Sequence, residues 1–438
     1  MYKLMENVLV VCKNDSTYYL DPESLVVFSK KNPKSSNEEI IRKYNKSKGA
    51  KQKNRTDNNS KTSTAIIELH VTNDCNLRCK YCFVDEKCHE EKYKQMSEDV
   101  IEKALFFALN SYSEASFFQI CLFGGEPMLF WKKLNYLVKK AKEIFKDKKH
   151  GITFTTNGTI INDEILSFIK NNKISFQISC DGPQKQQDFL RTMVNNKGSF
   201  KLIDKNLPKF KSVSNNISVR STITPYNMNL SELFEFFQKK GFKKIAFGLC
   251  SSSINDLIIK EKDLPNLLIE CEKFSEIYLK HIIEEEKIIE VYPFKFYFQI
   301  LHFGRKKTSF CGAGKSLFSV STEGKLFSCH RFIENESYKI GDIKNGFDER
   351  CKPRKEFLNF NVENEKKCKK CFAKYACGGG CAHEKFTSFS KISCQFTRHI
   401  FYLTIWIYAE LLTKHPSAFQ KLIDKLEKKK NSKLVLTS

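Results

Sequence analysis

Three cysteines in the first quarter of the chain have the residue type and spacing of a soft-metal site. Cys75, Cys79 and Cys82 form a CxxxCxxC run just after an apolar, strand-like stretch at 65–71. Their thiolates can converge on one metal centre because the loop between them is short, and soft metals and iron–sulfur clusters prefer thiolate ligands. A cluster of four irons held by three cysteines keeps one iron open to another ligand. The alternatives are a partial zinc site or a redox pair, although zinc sites usually combine two C-x2-C pairs.

A second field of cysteines occupies the C-terminal third of the chain. Its Gly378-Gly379-Gly380 run supplies tight turns between the thiols. The field contains Cys311, Cys329, Cys368, Cys371, Cys377, Cys381 and Cys394. A pair of zinc ribbons is the structural alternative to a cluster-binding role. The chain has 17 cysteines, which suit a reducing compartment only if metal accounts for most of them, because disulfide frameworks are typical of short secreted chains.

Charge and hydropathy limit the classes of partner. The net charge of +24 raises the question of nucleic-acid binding. Much of that charge lies in a polar stretch at 43–61 and a terminal segment at 421–433, without the interleaved aromatic residues of a single-strand binder. The longest apolar stretch, 400–412, falls short of the roughly 20 residues that span a bilayer. We therefore expect a cytoplasmic protein with no signal peptide, no nucleic-acid partner and no membrane partner.

Strand-like and helical segments alternate from residue 65 onward, and these elements must position the cysteines. Six such repeats predict an α/β fold, a partial (β/α)6 TIM-type barrel with its chemistry at the carboxyl ends of the strands. The predicted strands are 65–71, 117–123, 152–156, 175–180, 217–223 and 243–248. The predicted helices lie near 97–113, 131–147, 161–172, 199–212, 231–241 and 262–287.

Composition divides the chain into five parts. Residues 1–45 form a β-rich N-terminal module that either caps the barrel or docks a leader segment of the substrate. The remaining parts are a basic linker at 46–63, the barrel at 64–300, the second cysteine domain at 301–396, and a C-terminal helix with a basic tail at 397–438.

Polar or glycine-rich turns follow the predicted strands. After the second strand comes Gly124-Gly125-Glu126-Pro127, whose glycines permit close backbone approach to a ligand and whose carboxylate can bind an ammonium group. Thr155–Thr159 and Ser179–Pro183 follow the next two strands, with Arg191 beyond them. An arginine there can pair with a carboxylate through both arms of its guanidinium. Arg220 on the fifth strand points either into the barrel or into a structural ion pair.

The first cysteine run resembles the loop of the radical S-adenosylmethionine (SAM) enzymes, through its Cys-Asn-Leu-Arg-Cys wording and the aromatic Tyr81. The resemblance implies a [4Fe-4S] cluster on Cys75, Cys79 and Cys82, with SAM on the fourth iron. It also implies a set of residues that contact SAM. These are Tyr81, Phe83, Gly124, Gly125, Glu126, Pro127, Thr156, Asn157, Ser179 and Arg191.

The second cysteine field resembles the SPASM domain that follows the barrel in peptide- and protein-modifying radical SAM enzymes. The resemblance covers roughly 65–395 and implies two auxiliary [4Fe-4S] clusters, and hence three clusters in all. The outer one would be held by Cys368, Cys371, Cys377 and Cys394, and the inner one by Cys311, Cys329 and Cys381. Relatives with a fully ligated inner cluster carry another cysteine just before the Cys-Gly-Ala-Gly turn, whereas 302–310 contains none. We therefore expect an open iron on the inner cluster, able to bind a substrate thiol, unless Cys351 or another thiol completes it.

The residue after Cys329 separates two related families. Anaerobic sulfatase maturases place an Asp there as a base, whereas this chain has His330, which could itself accept a proton. Thioether-forming maturases of cysteine-rich peptides resemble the chain better, with a β-rich N-terminal module and a Cys-His-Arg-Phe-like turn. We expect a peptide maturase that cleaves SAM to a 5′-deoxyadenosyl radical and joins a cysteine sulfur to a carbon of a ribosomally made precursor peptide.

An electron donor such as flavodoxin or ferredoxin would supply the reducing electron. Three alternatives remain open: a sulfatase-type formylglycine maturase, a carbon–carbon crosslinking or epimerising peptide maturase, and a non-enzymatic iron–sulfur or zinc binding module.

Overall fold

A computed structural model describes residues 3–30, 35–51, 64–82, 94–214, 217–251, 256–333, 335–387 and 390–428. One sheet of 11 strands runs through most of the molecule. Its strands are β5 Thr64–Thr72, β7 Phe117–Gly124, β8 Lys149–Thr156, β9 Ser175–Ser179, β11 Ser218–Ile223, β12 Lys244–Leu249, β13 Glu290–Tyr292, β14 Leu317–Val320, β15 Lys325–Phe327, β16 Lys339–Asp342 and β17 Gly346–Phe347. Their order across the sheet is β13-β12-β11-β9-β8-β7-β5-β14-β15-β16-β17.

The part of the sheet from β13 to β14 is parallel throughout, and β14 to β17 continue it as an antiparallel meander. Each of the six predicted strands corresponds to one parallel strand, so the α/β class and the parallel sheet are confirmed. The sequence analysis missed β13 and β14. Both are short, and Leu317–Val320 lies beyond the region in which strands alternate with helices.

Helices pack against the sheet, most of them on the face of the main core and two of them on the opposite face, through Phe357 and Ala382. They are α2 Glu98–Ser111, α3 Trp131–Ile144, α4 Asp163–Asn171, α5 Gln184–Leu190, α6 Phe200–Val213, α7 Leu230–Lys239, α8 Leu264–Glu284, α9 Phe294–Phe303, α10 Lys352–Asn359, α11 Lys374–Cys377, α12 Ala382–Thr387, α13 Lys391–Lys414 and α14 Pro416–Lys428. In β5 the alternate residues Ala65, Ile67, Leu69 and Val71 join the main core beneath these helices. The intervening side chains therefore face the other side of the sheet, where the chemistry must occur.

The N-terminal part is a four-stranded antiparallel meander, β1 Lys3–Met5, β2 Val8–Lys13, β3 Ser16–Asp21 and β4 Val26–Ser29, followed by α1 Asn37–Lys51. Asn14 and Asp15 both have positive φ, which suits the twist of a two-residue hairpin. These two residues therefore form the tight turn between β2 and β3. The predicted linker at 46–63 is wrong in its first part, because α1 continues to Lys51.

The long helix α13 joins the N-terminal meander to the rest of the chain. The Tyr402 hydroxyl donates to the Cys12 carbonyl oxygen at 2.8 Å and accepts from the Cys12 backbone N–H at 3.0 Å. Lys414 donates to the Ser16 hydroxyl at 2.8 Å. Within the described parts of the chain, no helix combines the length and apolar character needed to cross a bilayer.

Candidate active site

The first cysteine run lies in the loop that follows β5. Three of its residues, Leu77–Cys79, form a short strand, β6, that pairs antiparallel with β10, Arg191–Met193, so that Cys79 lies opposite Arg191. This pairing was not predicted, because both strands are three residues long. It brings the Arg191 guanidinium within 3.9 Å of the Cys79 sulfur.

The three thiols share one neighbourhood. Burial raises the pKa of Cys79 to about 12 despite the opposing effect of Arg191, and the nearby thiol of Cys82 raises it further. Burial likewise raises the pKa of Cys75, with further contributions from Cys79 and Cys82. Clustered thiols that resist ionisation in the bare protein suit a cationic iron centre, which would stabilise all three thiolates. Phe83, also predicted to contact SAM, lies outside the described residues.

Asparagine side chains fix the start of this loop. Asn157, at the end of β8, donates to the Asn76 side-chain oxygen at 2.9 Å and lies 4.0 Å from the Cys75 sulfur. Asn76 in turn donates to the Thr159 hydroxyl at 2.8 Å, and Thr159 donates to the Asn157 side-chain oxygen at 2.7 Å. The structure therefore gives Asn157 a role in positioning Cys75. Its contact with SAM stays a prediction.

The two glycines after β7 allow close approach, but to the chain itself. A Cβ atom on Gly124 would lie 2.1 Å from the Thr72 carbonyl oxygen, and one on Gly125 would lie 1.9 Å from the Asp74 carbonyl oxygen. The Gly125 N–H donates to Thr72 at 2.8 Å, and the Glu126 N–H donates to Asp74 at 2.8 Å. This part of the turn therefore packs directly under the cysteine loop, so its glycines also serve to position that loop.

The Glu126 carboxylate is fully buried and accepts three hydrogen bonds. The donors are the Met128 N–H at 3.0 Å, the Thr156 hydroxyl at 2.8 Å and the Asn157 N–H at 2.7 Å. Burial raises the pKa of Glu126 to about 7, although these donors oppose the shift. Pro127 begins a 3-10 helix, Pro127–Phe130, that Glu126 caps. Glu126 and Thr156 thus connect the ends of β7 and β8, and their contacts with SAM stay predictions.

A buried carboxylate that the sequence analysis did not assign organises the other side of the loop. Asp181, which is 0% exposed, accepts from the Tyr81 hydroxyl, from Arg191 Nε at 2.9 Å and from the Thr222 N–H at 2.9 Å. Asp181 lies in the Ser-Cys-Asp-Gly-Pro turn, and the need of a buried arginine for an acidic partner could have identified it. Ser179 lies two residues earlier, at the end of β9. The contacts of Tyr81, Ser179 and Arg191 with SAM stay predictions.

His330 is held from the barrel side. Its backbone N–H donates to Glu68 Oε2 at 2.8 Å, and its Nδ1 lies 2.9 Å from Glu68 Oε1. Ser319 of β14 donates to the same carboxylate, and the Phe123 ring stacks on the imidazole at a centroid distance of 4.4 Å. Burial opposes ionisation of Glu68, but His330 and Ser319 outweigh it and lower the pKa of this carboxyl. An acidic residue within an otherwise apolar strand was the available signal for Glu68.

The seven C-terminal thiols separate into two neighbourhoods. Burial raises the pKa of Cys329 well above its usual value, and Cys311 and Cys381 add to the shift. Burial raises the pKa of Cys377 to about 12, with contributions from Cys394 and Cys371, and Cys368 interacts with Cys371 and Cys394. These groupings match the predicted inner and outer sets, and mutually repelling thiols again suit iron clusters.

Cys351 stands apart from the inner thiols. Its thiol donates to the Lys339 carbonyl oxygen at 3.1 Å, at the start of α10. Among the residues that the structure describes, no group of three or more His, Cys, Asp or Glu side chains could hold a metal ion as it stands. The assignment of the seven thiols to two clusters therefore stays a prediction.

Comparison with known proteins identifies the family. Residues 69–239 match the model of the radical SAM superfamily. A cysteine-type anaerobic sulfatase-maturating enzyme of Clostridium novyi is 28% identical over 350 residues, covering 75% of this chain and 90% of that protein.

Two solved structures share the fold. The protein titled native anSMEcpe with bound AdoMet has a TM-score of 0.64 at 21% identity, covering 84% of this chain and 100% of its own. Streptococcus suis SuiB bound to precursor peptide SuiA has a TM-score of 0.53 at 15% identity, covering 87% and 95%. The chain belongs to the radical SAM superfamily, whose members bind SAM and a [4Fe-4S] cluster.

Proposed function

We propose that this radical SAM protein modifies a cysteine-containing, ribosomally made peptide by joining the cysteine sulfur to a carbon atom of the same peptide. The observation that carries the proposal is the inner thiol group of Cys311, Cys329 and Cys381. The candidate for a fourth ligand in the C-terminal domain, Cys351, donates its thiol to a backbone carbonyl instead. A cluster held by three protein thiolates would leave one iron for a substrate thiolate.

The bound cluster and SAM would supply the one-electron chemistry that activates an unreactive C–H bond. The residues of this chain then have three tasks. Cys75, Cys79 and Cys82 hold the first cluster in a loop that Asn157 and Asp181 position. The three inner thiols leave room for the substrate sulfur. His330, fixed by Glu68 next to Cys329, is placed to accept the proton that the substrate thiol loses when its sulfur binds as thiolate. The abstracted hydrogen atom would leave with the deoxyadenosyl group of SAM, and the auxiliary clusters would take up the one electron left over when the C–S bond forms.

The comparisons also favour a second candidate, formylglycine formation on a sulfatase. The sulfatase-maturating enzyme of C. novyi aligns with three quarters of this chain. His330 stands where those maturases are expected to have an acidic base, which weighs against this candidate. Carbon–carbon crosslinking or epimerisation of a peptide would need no thiol at the inner cluster, and a purely binding role would show no turnover of SAM.

Peptide recognition is proposed for the N-terminal meander. Strand β1 lies at one edge of its sheet, with the backbone groups of that edge available for pairing with an extended leader segment. The meander is fixed to α13 through Tyr402 and Lys414, which would give a bound leader a defined position. A flavodoxin or ferredoxin is proposed as the electron donor.

The test is anaerobic incubation of the reconstituted protein with SAM, dithionite and a cysteine-containing peptide encoded beside its gene. Mass spectrometry after thiol alkylation distinguishes the reactions. A peptide that loses two hydrogen atoms and one alkylatable thiol supports thioether formation. Loss of two hydrogens with every thiol still alkylated would replace it by carbon–carbon crosslinking, and an aldehyde trapped by a hydrazide would replace it by formylglycine formation.

The variant Cys311→Ala tests the inner thiols. We expect the crosslinks formed per SAM cleaved to fall at least about tenfold, because the substrate sulfur loses its binding site. Cys351→Ala is the matched control, since this thiol donates to the Lys339 carbonyl oxygen and is not one of the three inner thiols. An equal number of crosslinks per SAM cleaved in Cys311→Ala and wild type would contradict the role of the inner thiols.

A further inference from the structure

Arg220 places a charge on the inner face of the sheet. It lies on β11, where the strand register pairs it with Ser179 of β9 and Ala246 of β12. Its neighbours Val219 and Ser221 are both 0% exposed, and Val219 belongs to the core beneath the helices. Because side chains alternate along a strand, Arg220 points to the side that carries the cysteine loop. Of the two orientations that the sequence left open for Arg220, the inward one is therefore observed.

A glycine on the next strand makes room for the guanidinium. A Cβ atom on Gly248 would lie 2.7 Å from Arg220 Nη2 and 3.2 Å from its Cζ. A side chain at this position would therefore require the arginine head group to move. Glycine within a strand weakens that strand and often marks a site of close approach. The position of Arg220 therefore explains why strand β12 has a glycine at residue 248.

Arg220 is partly exposed and, unlike two other cations on this sheet, forms no ion pair with an acidic residue in the described parts of the chain, although Asp181 attracts it at longer range. Arg191 pairs with Asp181 at 2.9 Å, and Lys295 pairs with Glu290 at 2.6 Å. No hydrogen bond or ion pair reaches the Arg220 guanidinium from any described residue. Burial lowers the pKa of Arg220, as do Arg331 and Arg191, yet an arginine stays charged at neutral pH. A partly exposed guanidinium without a protein partner keeps its charge and its hydrogen-bond donors available to a ligand.

Arg331 extends this positive region towards the inner thiols. It follows Cys329 by two residues and donates to the carbonyl oxygen of Ser251, just beyond the end of β12. It interacts electrostatically with Arg220 on one side and with Cys381 on the other. The two arginines therefore form one positive region that extends from the cysteine loop towards the inner thiols.

We propose that Arg220, together with Arg331, binds a carboxylate of the peptide substrate, from an Asp or Glu side chain or from the peptide C-terminus. The proposal rests on the proposed function, because it takes the substrate to be a peptide. A guanidinium can hold a carboxylate by two parallel hydrogen bonds, which fixes both position and orientation. The peptide would thereby be anchored between the site of C–H activation and the thiols that receive its sulfur. The carboxylate of SAM is the competing source, and the resemblance assigns that group to Ser179 and Arg191.

The experiment selects binders from displayed peptides with random residues around one fixed cysteine, made with either a free or an amidated C-terminus. The targets are the reconstituted wild-type protein, Arg220→Gln and Arg220→Lys. We expect wild type to enrich Asp, Glu or the free C-terminus, and Arg220→Gln to lose that enrichment. A selected acidic peptide should bind Arg220→Gln about 10- to 100-fold more weakly. Arg220→Lys should restore part of the affinity, because it keeps the charge but not the two-armed geometry.

Arg350→Gln is the matched control, since it removes one charge at an exposed position. An equal loss in this control, or a wild-type pool without excess carboxylate, would overturn the proposal. SAM affinity is measured on the same variants. If the affinity for SAM falls as much as the affinity for the peptide, Arg220 binds the methionine carboxylate of SAM, and the proposal is overturned.

Thermal unfolding separates a binding role from a structural one. Arg220→Gln should be about as stable as wild type, because the substitution breaks no ion pair or hydrogen bond to a described residue and Arg220 is partly exposed. A clear loss of stability would show that Arg220 supports the fold instead. Persistence of the carboxylate preference in a protein that forms no crosslink would refute the proposed chemistry and leave this binding site standing.

Discussion

Asp181→Asn tests whether the buried pair of Asp181 and Arg191 holds the first cysteine loop. The Asp181 carboxylate is fully buried and accepts hydrogen bonds from Tyr81, Arg191 and Thr222. Asparagine preserves the shape but removes the negative charge, which leaves the Arg191 guanidinium buried without a counter-ion. Breaking such a pair costs about 3–5 kcal/mol. Only 9% of the Arg191 side chain is exposed, so water can recover little of this loss.

Two measurements test the effect of Asp181→Asn, one on the stability of the fold and one on the first cysteine loop. The free energy of unfolding is obtained from anaerobic urea titration, and we expect it to fall by about 3–5 kcal/mol with an unchanged dependence on urea. Arg191 lies opposite Cys79 in the β6–β10 pair. We therefore expect the change that SAM addition produces in the spectrum of the SAM-binding cluster to differ between Asp181→Asn and wild type.

A double-mutant cycle provides the control. Arg191→Met leaves the Asp181 carboxylate unpaired, whereas the double variant buries neither charge. The double variant should therefore be destabilised by less than the sum of the single variants, with a coupling of about 2 kcal/mol or more. A cost below about 1 kcal/mol for Asp181→Asn, or additive single effects, would refute the view that this pair holds the loop.

Two further predictions concern the strands beneath the loop. Gly125→Ala should lower the free energy of unfolding by about 1–3 kcal/mol and reduce the iron bound per chain, because its Cβ would lie 1.9 Å from the Asp74 carbonyl oxygen. The control Gly151→Ala, whose Cβ would lie 3.2 Å from the nearest atom, on the Phe117 ring, should retain normal iron content. Equal iron content in the two variants would contradict this reasoning. His70 is buried, neither of its ring nitrogens has a hydrogen-bond partner among the described residues, and burial lowers its pKa to about 4. It therefore contributes stability that is present above the unfolded pKa near 6.5 and lost as the pH falls through 4, by up to about 3 kcal/mol. Urea titrations of wild type and His70→Gln across this window should show a smaller loss in the variant, and parallel pH profiles would contradict it.

The sequence located the chemistry well because its spacing signals are local. The CxxxCxxC loop and the alternating strands and helices could both be predicted from residue type and interval, whereas the division of the seven C-terminal thiols was implied by the resemblance and stays a prediction. The buried residues that hold the site residues in place could not be predicted in this way. Glu68 binds His330 across 262 positions of the chain, and Asp181 reaches back 100 positions to Tyr81. Such contacts depend on strand order, because β14 lies beside β5 in the sheet although β6 to β13 separate the two strands along the chain.

The place of β14 also explains how the two halves of the site keep their separation. Strand β5 leads into the Cys75 loop, and the β14–β15 hairpin leads into Cys329. Residues Leu317 to Val320 of β14 pair in parallel with Ile66 to Leu69 of β5, so both cysteine regions leave one continuous sheet. Glu68 ties these strands together a second time, because its carboxylate accepts from Ser319 on β14 and from the His330 backbone next to Cys329. A rigid sheet fixes the distance between its loops more closely than a flexible junction between domains would. The chain can thus hold the first cysteine loop and the inner thiols at a set spacing, as the proposed joining of two peptide atoms would require.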